Sequence, residues 1–274
     1  MRIAISHTTT CRYPRPTRDI IQTLRLTPRN SGAQHVARWR TEIDADARLR
    51  QGEDAFGNII HSLDAPGPLE RFSIHVEGEV ETFDTAGVLT GAAERFPPEL
   101  YLRSTSLTAI NPEMAEYAES VRPRAPGDDR LALMHALMAH LATDVAFDPH
   151  APEPAARAAD AFAARRGGGQ DHAHLFCIFA RHLGTPARFI SGYFSGDGAV
   201  AEQDAGHSWA EAHIPGLGWI GFDAAHRVCS TAAHIRVAAA LDALGAAPVR
   251  SGRGAAPGET QDVAIKARVL RSQG

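Results

Sequence analysis

Two polar residues are spaced in the sequence so that they could carry out acid–base chemistry. His207 opens the segment His207-Ser208-Trp209-Ala210-Glu211, and Asp223 ends the segment Gly218-Trp219-Ile220-Gly221-Phe222-Asp223. A histidine exchanges protons near neutral pH, and a carboxylate bonded to its ring fixes which ring nitrogen carries the proton. The turn at Pro215-Gly216-Leu217-Gly218 leaves two registers open, because a tight turn places His207 opposite about residue 226 and a longer or bulged one opposite Asp223. Both Asp223 and His226 are therefore candidate partners of His207.

The composition of the 274-residue chain is that of an ordinary globular protein, with 44% hydrophobic and 22% charged residues. A net charge of −4 and the lack of a long basic run give little support for nucleic-acid binding. No apolar stretch has the length of a membrane span, and Met1–His7 has the pattern of a strand, not of a signal peptide. We expect a cytoplasmic protein with neither nucleic-acid nor membrane partners, and the oligomeric state stays open.

Residues 1–95 have the pattern of short strands separated by turns. Period-two alternation occurs in His35–Asp44 and in Phe72–Thr82, and Asp54-Ala55-Phe56-Gly57-Asn58 has the composition of a turn. Strands spaced in this way predict an N-terminal β-sandwich-like region as a first domain, 1–95.

Residues 96–274 change to helices followed by strands, which predicts a second domain of α+β class. Asn111 and Pro112 have the types preferred at the start of a helix. We predict helices over 128–143, 155–165 and 170–183, and strands over 187–193, 207–214, 219–223 and 262–270, with a loop at 252–258.

Several runs of residues together resemble a known family along nearly the whole chain. In the second domain they are Gln170-Asp171, Ala173-His174-Leu175, Leu183-Gly184-Thr185-Pro186-Ala187-Arg188, Ser191-Gly192-Tyr193, the His207 and Asp223 segments, and His234-Ile235-Arg236-Val237-Ala238; in the first they are Leu24-Arg25-Leu26-Thr27-Pro28, the 54–58 turn and Glu79-Val80-Glu81-Thr82. These runs resemble bacterial transglutaminase-like proteins, which have a papain-like core of helices packed on an antiparallel sheet and an N-terminal β region.

The resemblance implies a Cys–His–Asp triad in which Gly169 stands at the position of the cysteine. His207 matches the general base and Asp223 the acid that orients it. A cysteine at a helix N-terminus has a lowered pKa, and nearby backbone N–H groups stabilise the oxyanion of acyl transfer. Glycine has no atom that can attack an acyl carbon, so we expect no thiol catalysis at position 169.

Further departures from the family pattern surround that glycine. Gly168 replaces a larger residue, His172 stands where an aromatic residue such as phenylalanine is expected, and Asp223-Ala224-Ala225-His226 replaces an Asp-Pro-Thr-Asn-like run. Such grouped changes favour a natural lineage with altered or lost chemistry. The alternative, a natural cysteine altered during cloning, is decided by reading the native gene.

The histidines near the glycine suggest a metal site as an alternative to a thiol. His172 lies three residues after Gly169 on the same helix face, so His172, His207 and His226, or Asp223 in place of His226, could hold a divalent ion such as Zn²⁺. The competing interpretation is that His172 only fills space or faces solvent. No cofactor is otherwise expected.

Three cysteines, Cys11, Cys177 and Cys229, are too few and odd in number for a disulfide framework. Cys177 lies two helical turns beyond Gly169 among apolar residues, which favours a buried, unreactive thiol. Cys229 follows Asp223 by six residues and is a weak candidate nucleophile.

The sequence therefore predicts a transglutaminase-like protein that lacks the cysteine nucleophile. We expect it to bind a peptide, amide or small-molecule ligand, or a protein partner, in the ancestral acyl-transfer cleft, with Gln170, His172, Trp209 and His226 as ligand-binding candidates. The alternative is an active enzyme with altered chemistry, in which a metal or His207 promotes amide hydrolysis or acyl transfer.

Overall fold

The computed structural model describes residues 1–149, 157–196, 200–203, 206–252 and 258–270. Its first part consists of strands: β1 (Arg2–Thr17), β2 (Ile20–Thr27), β3 (Gln34–Ile43), β4 (Arg48–Glu53), β5 (Ile59–Ala65), β6 (Leu69–Thr82) and β7 (Val88–Leu89).

Helices and strands then follow one another. They are a 3₁₀ turn (Pro98–Leu102), α1 (Pro112–Glu119), a second 3₁₀ turn (Arg122–Arg124), α2 (Arg130–Asp144), β8 (Ala146–Phe147), α3 (Ala158–Ala164), β9 (Arg166–Gly167), α4 (Gly169–His182), β10 (Ala187–Phe194), β11 (Val200–Gln203), β12 (His207–Ile214), β13 (Gly218–Asp223), β14 (Val228–Cys229), β15 (His234–Ala240), β16 (Val249–Ser251) and β17 (Thr260–Leu270). The mixed α+β class expected from the sequence is confirmed.

Two sheets face each other in the N-terminal region, as expected for a β-sandwich. One has the strand order β11-β17-β1-β6-β3 and the other β16-β2-β5-β4. Alternating side chains of both sheets form one buried cluster, with Cys11 and Phe72 from the first sheet and Leu24 and Leu63 from the second. Period-two burial is what packs the two sheets together.

The second part is a sheet of order β14-β13-β12-β10-β15 with helices on one face. The central helix α4 lies against β10 and β12, and α1, α2 and α3 pack around it. Phe176 and Phe179 of α4 are fully buried, Phe176 stacked on Phe222 of the sheet (5.1 Å between ring centroids) and Phe179 against Phe162 of α3 (5.7 Å). The packing therefore fixes the first turn of α4 relative to the strands that begin at His207 and end at Asp223.

Local sequence signals set the starts of the helices. The Asn111 side chain accepts a hydrogen bond from the Met114 N–H (2.8 Å), and Pro112 occupies the first turn, where its missing N–H costs nothing. Asp129 caps α2 in the same way through the Ala132 N–H (2.9 Å). The helices and strands predicted from periodicity are found within a few residues of their expected ends, although residues 155–156 of the predicted second helix and 253–257 of the predicted loop lie outside the described residues.

The C-terminal residues return to the N-terminal region. β17 pairs antiparallel with β1 over Arg2↔Leu270 to Arg12↔Thr260, and β16 pairs with β2. In the opposite direction, β7 pairs with β13 of the second sheet. The alternation in 262–270 predicts a strand but not its partner, because pairing is set by long-range packing. None of the helices in the described ranges is long and apolar enough to cross a bilayer.

Candidate active site

Gly169 is the first residue of α4 and lies directly beside His207. A Cβ built on Gly169 would be 3.3 Å from Nδ1 of His207, with no positive φ at this glycine. The Asp171 carboxylate accepts a hydrogen bond from the Gly168 N–H (2.9 Å), which fixes the entry of the chain into the helix. The first backbone N–H groups of α4, and the positive end of its dipole, are therefore next to an imidazole.

His207 is held from its other side by Asp223. Nε2 of His207 is 2.6 Å from Oδ2 of Asp223, and Asp223 is fully buried. A carboxylate only accepts hydrogen bonds, so Nε2 carries the proton and Nδ1 is the basic nitrogen. Among the described residues, none hydrogen-bonds to Nδ1, which faces Gly169. His207 is thus arranged as a general base with an orienting acid.

The turn between the two strands has an intermediate register. Ala210 pairs with Phe222 and Ile214 with Gly218, so that Pro215-Gly216-Leu217 forms the loop. With this register both candidate partners, Asp223 and His226, lie beside His207. Nδ1 of His226 is 2.9 Å from Oδ2 of Asp223, and the ring centroids of His207 and His226 are 4.9 Å apart.

A third histidine, His234 at the start of β15, completes the surroundings of Asp223. Its Nε2 is 3.1 Å from Oδ2 of Asp223, and its Nδ1 accepts a hydrogen bond from the Thr231 N–H (3.0 Å). His234 is therefore a neutral ring that donates through Nε2, in agreement with burial, which lowers its pKa despite the opposing effect of Asp223. His234 belongs to one of the runs that carry the family resemblance, but its spacing from Asp223 alone predicts no contact.

The hydrogen-bond partners of Asp223 keep its carboxyl group ionised. Burial alone would raise the pKa of its carboxyl, but the charge and hydrogen bond of His207 and the hydrogen bonds of His226 and His234 together hold that pKa well below the usual range. Oδ1 also accepts the backbone N–H groups of Ala225 (3.1 Å) and His226 (3.2 Å).

His172 does not join this group, which corrects the predicted set of metal ligands. Its Nδ1 is 3.0 Å from the carbonyl oxygen of Gly168, and its Nε2 is 3.1 Å from that of Val145. Both nitrogens thus face backbone carbonyl oxygens, to one of which a neutral ring donates its single N–H, and His172 is 1% exposed. The side chain turns toward β8 because Phe147 packs edge-on against its ring, 5.8 Å away. A ligand therefore does not reach it directly, and the same geometry removes it from the ligand-binding candidates.

The residues whose side chains could bind a metal ion together are His207, Asp223 and His226. Within the described parts of the chain, these are the three whose nitrogen and oxygen atoms all lie within 4.8 Å of one another. The structure thus combines Asp223 with His207 and His226 and leaves out His172, whereas the sequence offered Asp223 only as an alternative to His226.

Aromatic rings surround the histidines. Phe194 contacts the rings of His207, His226 and His234 at 5.3, 4.5 and 4.7 Å between centroids. Trp209 is 2% exposed and stacks near His207 (5.9 Å), so it supports the site from within and does not form an open wall. Gly168, Gly169 and Gln170 are partly exposed, and they give access to the first turn of α4.

None of the cysteines takes the place of a nucleophile. Cys177 is fully buried, which raises the pKa of its thiol to about 11. Burial also raises the pKa of the partly exposed Cys229. It raises the pKa of Cys11 to about 11. No sulfur atom hydrogen-bonds to His207 among the residues described.

His174 has a structural role, because its Nε2 accepts a hydrogen bond from the Ala243 N–H (2.9 Å).

Comparison with known proteins adds the ancestry of the chain. Residues 3–81 match the bacterial transglutaminase-like N-terminal region, and residues 117–224 match the transglutaminase-like superfamily. An uncharacterised protein of Mycobacterium leprae is 26% identical over 271 residues, which cover 93% of this chain and 95% of the relative. One of Mycobacterium tuberculosis is 25% identical over 246 residues, 81% of this chain and 78% of the relative.

A solved structure shares the fold over the whole chain. It is that of a candidate cysteine protease from Cytophaga hutchinsonii, with a TM-score of 0.75 and 17% identity, covering 100% of this chain and 92% of the other. At this identity the likeness concerns the fold alone.

Proposed function

Because the chain belongs to the transglutaminase-like superfamily, with its N-terminal β region and papain-like core, we propose that it is a member without a cysteine nucleophile. Gly169 takes the position of the nucleophile, His207 that of the base, and Asp223 that of the orienting acid. The protein binds a peptide, an amide or a small molecule in the acyl-transfer cleft and forms no thioester.

The single observation that carries this proposal is the position of Gly169. A side chain at residue 169 would start 3.3 Å from the basic Nδ1 of His207, while Nε2 of the same ring is bound to Asp223. A thiol attached there would lie at a helix N-terminus beside an imidazole, which is the environment that activates cysteine. Glycine supplies none of this chemistry. Loss of the nucleophile from a comparable triad costs about 10⁶-fold in rate.

The remaining groups favour binding of a carbonyl compound. The N–H groups of the first turn of α4 can donate to a carbonyl or carboxylate oxygen, and the helix dipole favours negative charge there. The partly exposed Gly168, Gly169 and Gln170 leave this turn accessible. A ligand bound here would lie beside the rings of His207 and Phe194.

Restoring the thiol tests the proposal. We expect Gly169→Cys to introduce a cysteine that is alkylated by iodoacetamide at pH 6 at least about tenfold faster in the His207 background than with His207→Asn, because the imidazole promotes the thiolate. His207 needs to shift by only a few tenths of an ångström to admit the new Cβ. Labelling is located by peptide mass spectrometry. Unmodified protein, in which only Cys229 is partly exposed, and Gly169→Ala give the background.

Two results would contradict the proposal. One is an introduced thiol at residue 169 that reacts like an ordinary thiol, with the same rate whether His207 is present or replaced. The other is cleavage or cross-linking of amides by the unmodified protein, lost on His207→Asn. That second result would support the alternative function, in which Nδ1 of His207 activates water.

A further inference from the structure

The geometry around Asp223 points to a binding site for a divalent transition-metal ion formed by His207, Asp223 and His226, in place of thiol chemistry. Nε2 of His207 and Nδ1 of His226 lie 2.6 and 2.9 Å from the same carboxylate oxygen, and all three atoms are within 4.8 Å of one another. An ion among them needs movements of about an ångström to reach metal–nitrogen distances of about 2.0–2.1 Å.

The donor set selects the kind of ion. Two imidazoles and one carboxylate, with a fourth position for water or a ligand oxygen, are the set of several open zinc sites. Magnesium and calcium prefer oxygen donors only, and a set with two nitrogens disfavours them. We therefore use Zn²⁺ as the probe, with Co²⁺ as its spectroscopic substitute.

Metal binding here requires a change of tautomer but no loss of protons. His207 carries its proton on Nε2 and His226 on Nδ1, because both donate to Asp223. When the ion binds these nitrogens, the proton of His207 moves to Nδ1 and that of His226 to Nε2. Each ring stays neutral, and Asp223 exchanges two hydrogen bonds for a bond to the metal.

Gly169 makes this exchange possible, and in this respect the inference rests on the proposed function. A thiolate at residue 169 would pair with an imidazolium at His207, which would keep both ring nitrogens protonated and Nε2 unable to bind metal. With glycine, Nδ1 of His207 has no acid partner among the described residues and can accept the proton from Nε2.

His234 has the role of a positioning residue. Its Nδ1 accepts from the Thr231 N–H, so Nε2 keeps its proton and continues to donate to Asp223. A donor behind a coordinating carboxylate orients it toward the metal. His226, with 31% of its side chain exposed, is the most accessible ligand and gives an entry path.

Zinc titration of the whole chain, prepared without a histidine tag and treated with a chelator, tests the inference. We expect one Zn²⁺ per chain in competition with a chromogenic chelator, and a Co²⁺ adduct with the visible absorption of a site of four or five ligands. His226→Ala should weaken binding at least about 100-fold, and His234→Phe about 10- to 100-fold. The exposed His35→Ala is the matched control and should bind as the unmodified protein does.

Two outcomes would overturn the inference: no stoichiometric binding by the folded unmodified protein, or equally tight binding after His226→Ala. Circular dichroism of each variant verifies its fold. If zinc does not bind while the thiol of Gly169→Cys is activated by His207, the metal site is wrong and the proposed function stands. If zinc binds while that thiol is ordinary, the assignment of residue 169 is wrong and the metal site stands.

Discussion

The Asp223 carboxylate accepts five hydrogen bonds, three from imidazoles on Oδ2 and two from backbone N–H groups on Oδ1. Each of these donors loses its partner if the carboxylate is replaced, since the site is closed to water at Asp223. The carboxylate thus decides the tautomers of His207, with the proton on Nε2, and of His226, with the proton on Nδ1, whereas the Thr231 N–H already keeps the proton of His234 on Nε2.

Replacing Asp223 by Asn should disturb all three rings. The asparagine side chain has only one accepting oxygen, and its NH₂ group would face either the imidazole donors or the backbone N–H donors. We therefore expect the free energy of unfolding to fall by about 3 kcal/mol. Urea unfolding measures this, and long-range ¹H–¹⁵N spectra of the histidines report the tautomers. Asp262→Asn, at an exposed ion pair, is the control and should cost under about 1 kcal/mol. Unchanged tautomers of His207 and His226 in Asp223→Asn would refute this account of the carboxylate.

At this scale the sequence predicts part of the site. The residue types and order of His207 and Asp223 identify the base and its acid, because His207 begins and Asp223 ends a pair of strands joined by one turn. The contact of His234 is not predictable, since β15 reaches Asp223 only through the order of strands in the sheet. The orientation of His172 is equally hidden, because helix spacing gives its face but not the carbonyls of Val145 and Gly168 that its ring nitrogens face.

At the scale of elements, a buried ion network fixes the sheet strands that carry the base. Glu211 of β12 lies between Arg188 of β10 (2.6 Å) and Arg236 of β15 (2.8 Å). Burial would raise the pKa of Glu211, but the charges of Arg236 and Arg188 hold it below the usual range. The Arg236 N–H also donates to Gln34 of β3 (2.8 Å), which connects the network to the N-terminal region. Because His207 begins β12, this network keeps the start of that strand in register.

Neutralising Glu211 should therefore destabilise the protein. In Glu211→Gln, Arg236 loses its carboxylate and Arg188 keeps only Glu94. We expect the free energy of unfolding to fall by about 3 kcal/mol, as for other buried charges left without a partner. Glu42→Gln removes an exposed pair with Arg40 and should change stability by under about 1 kcal/mol. Equal losses in the two variants, measured by urea unfolding, would refute a special role of the buried network.

At the scale of the whole molecule, the two regions share strands and a buried interface. The division at residue 95 follows the change in sequence pattern, but β17 joins β1 far from its neighbours in sequence. A buried cluster with Ile3 and Val80 of the N-terminal sheet and Ile235 and Val237 of the core then closes the interface. Periodicity predicts each strand, whereas these pairings depend on contacts between residues more than 200 positions apart, which local pattern does not contain.

His7 gives this interface a dependence on pH. The ring lies in β1 with Nδ1 2.9 Å from the Tyr193 hydroxyl of β10 and Nε2 2.8 Å from Oγ1 of Thr9. Burial lowers the pKa of His7 from 6.5 to about 4, so between these values the unfolded chain binds a proton that the folded protein does not. The contribution of neutral His7 to the free energy of unfolding is therefore fully present above pH 6.5. It decreases by on the order of 3 kcal/mol as the pH falls toward 4.

The variant His7→Gln separates this contribution from those of other histidines, of which the buried His174 has the same sign because burial lowers its pKa to about 4 as well. We expect His7→Gln to be less stable at pH 7, since the bonds to Tyr193 and Thr9 are weakened. Its free energy of unfolding should then decrease less steeply from pH 6.5 to 4 than that of the unmodified protein. His35→Gln, at an exposed position, should keep the original slope. If the curves for His7→Gln and the unmodified protein run parallel, His7 titrates equally in the folded and unfolded states, and the interface between the two regions does not respond to acid through this residue.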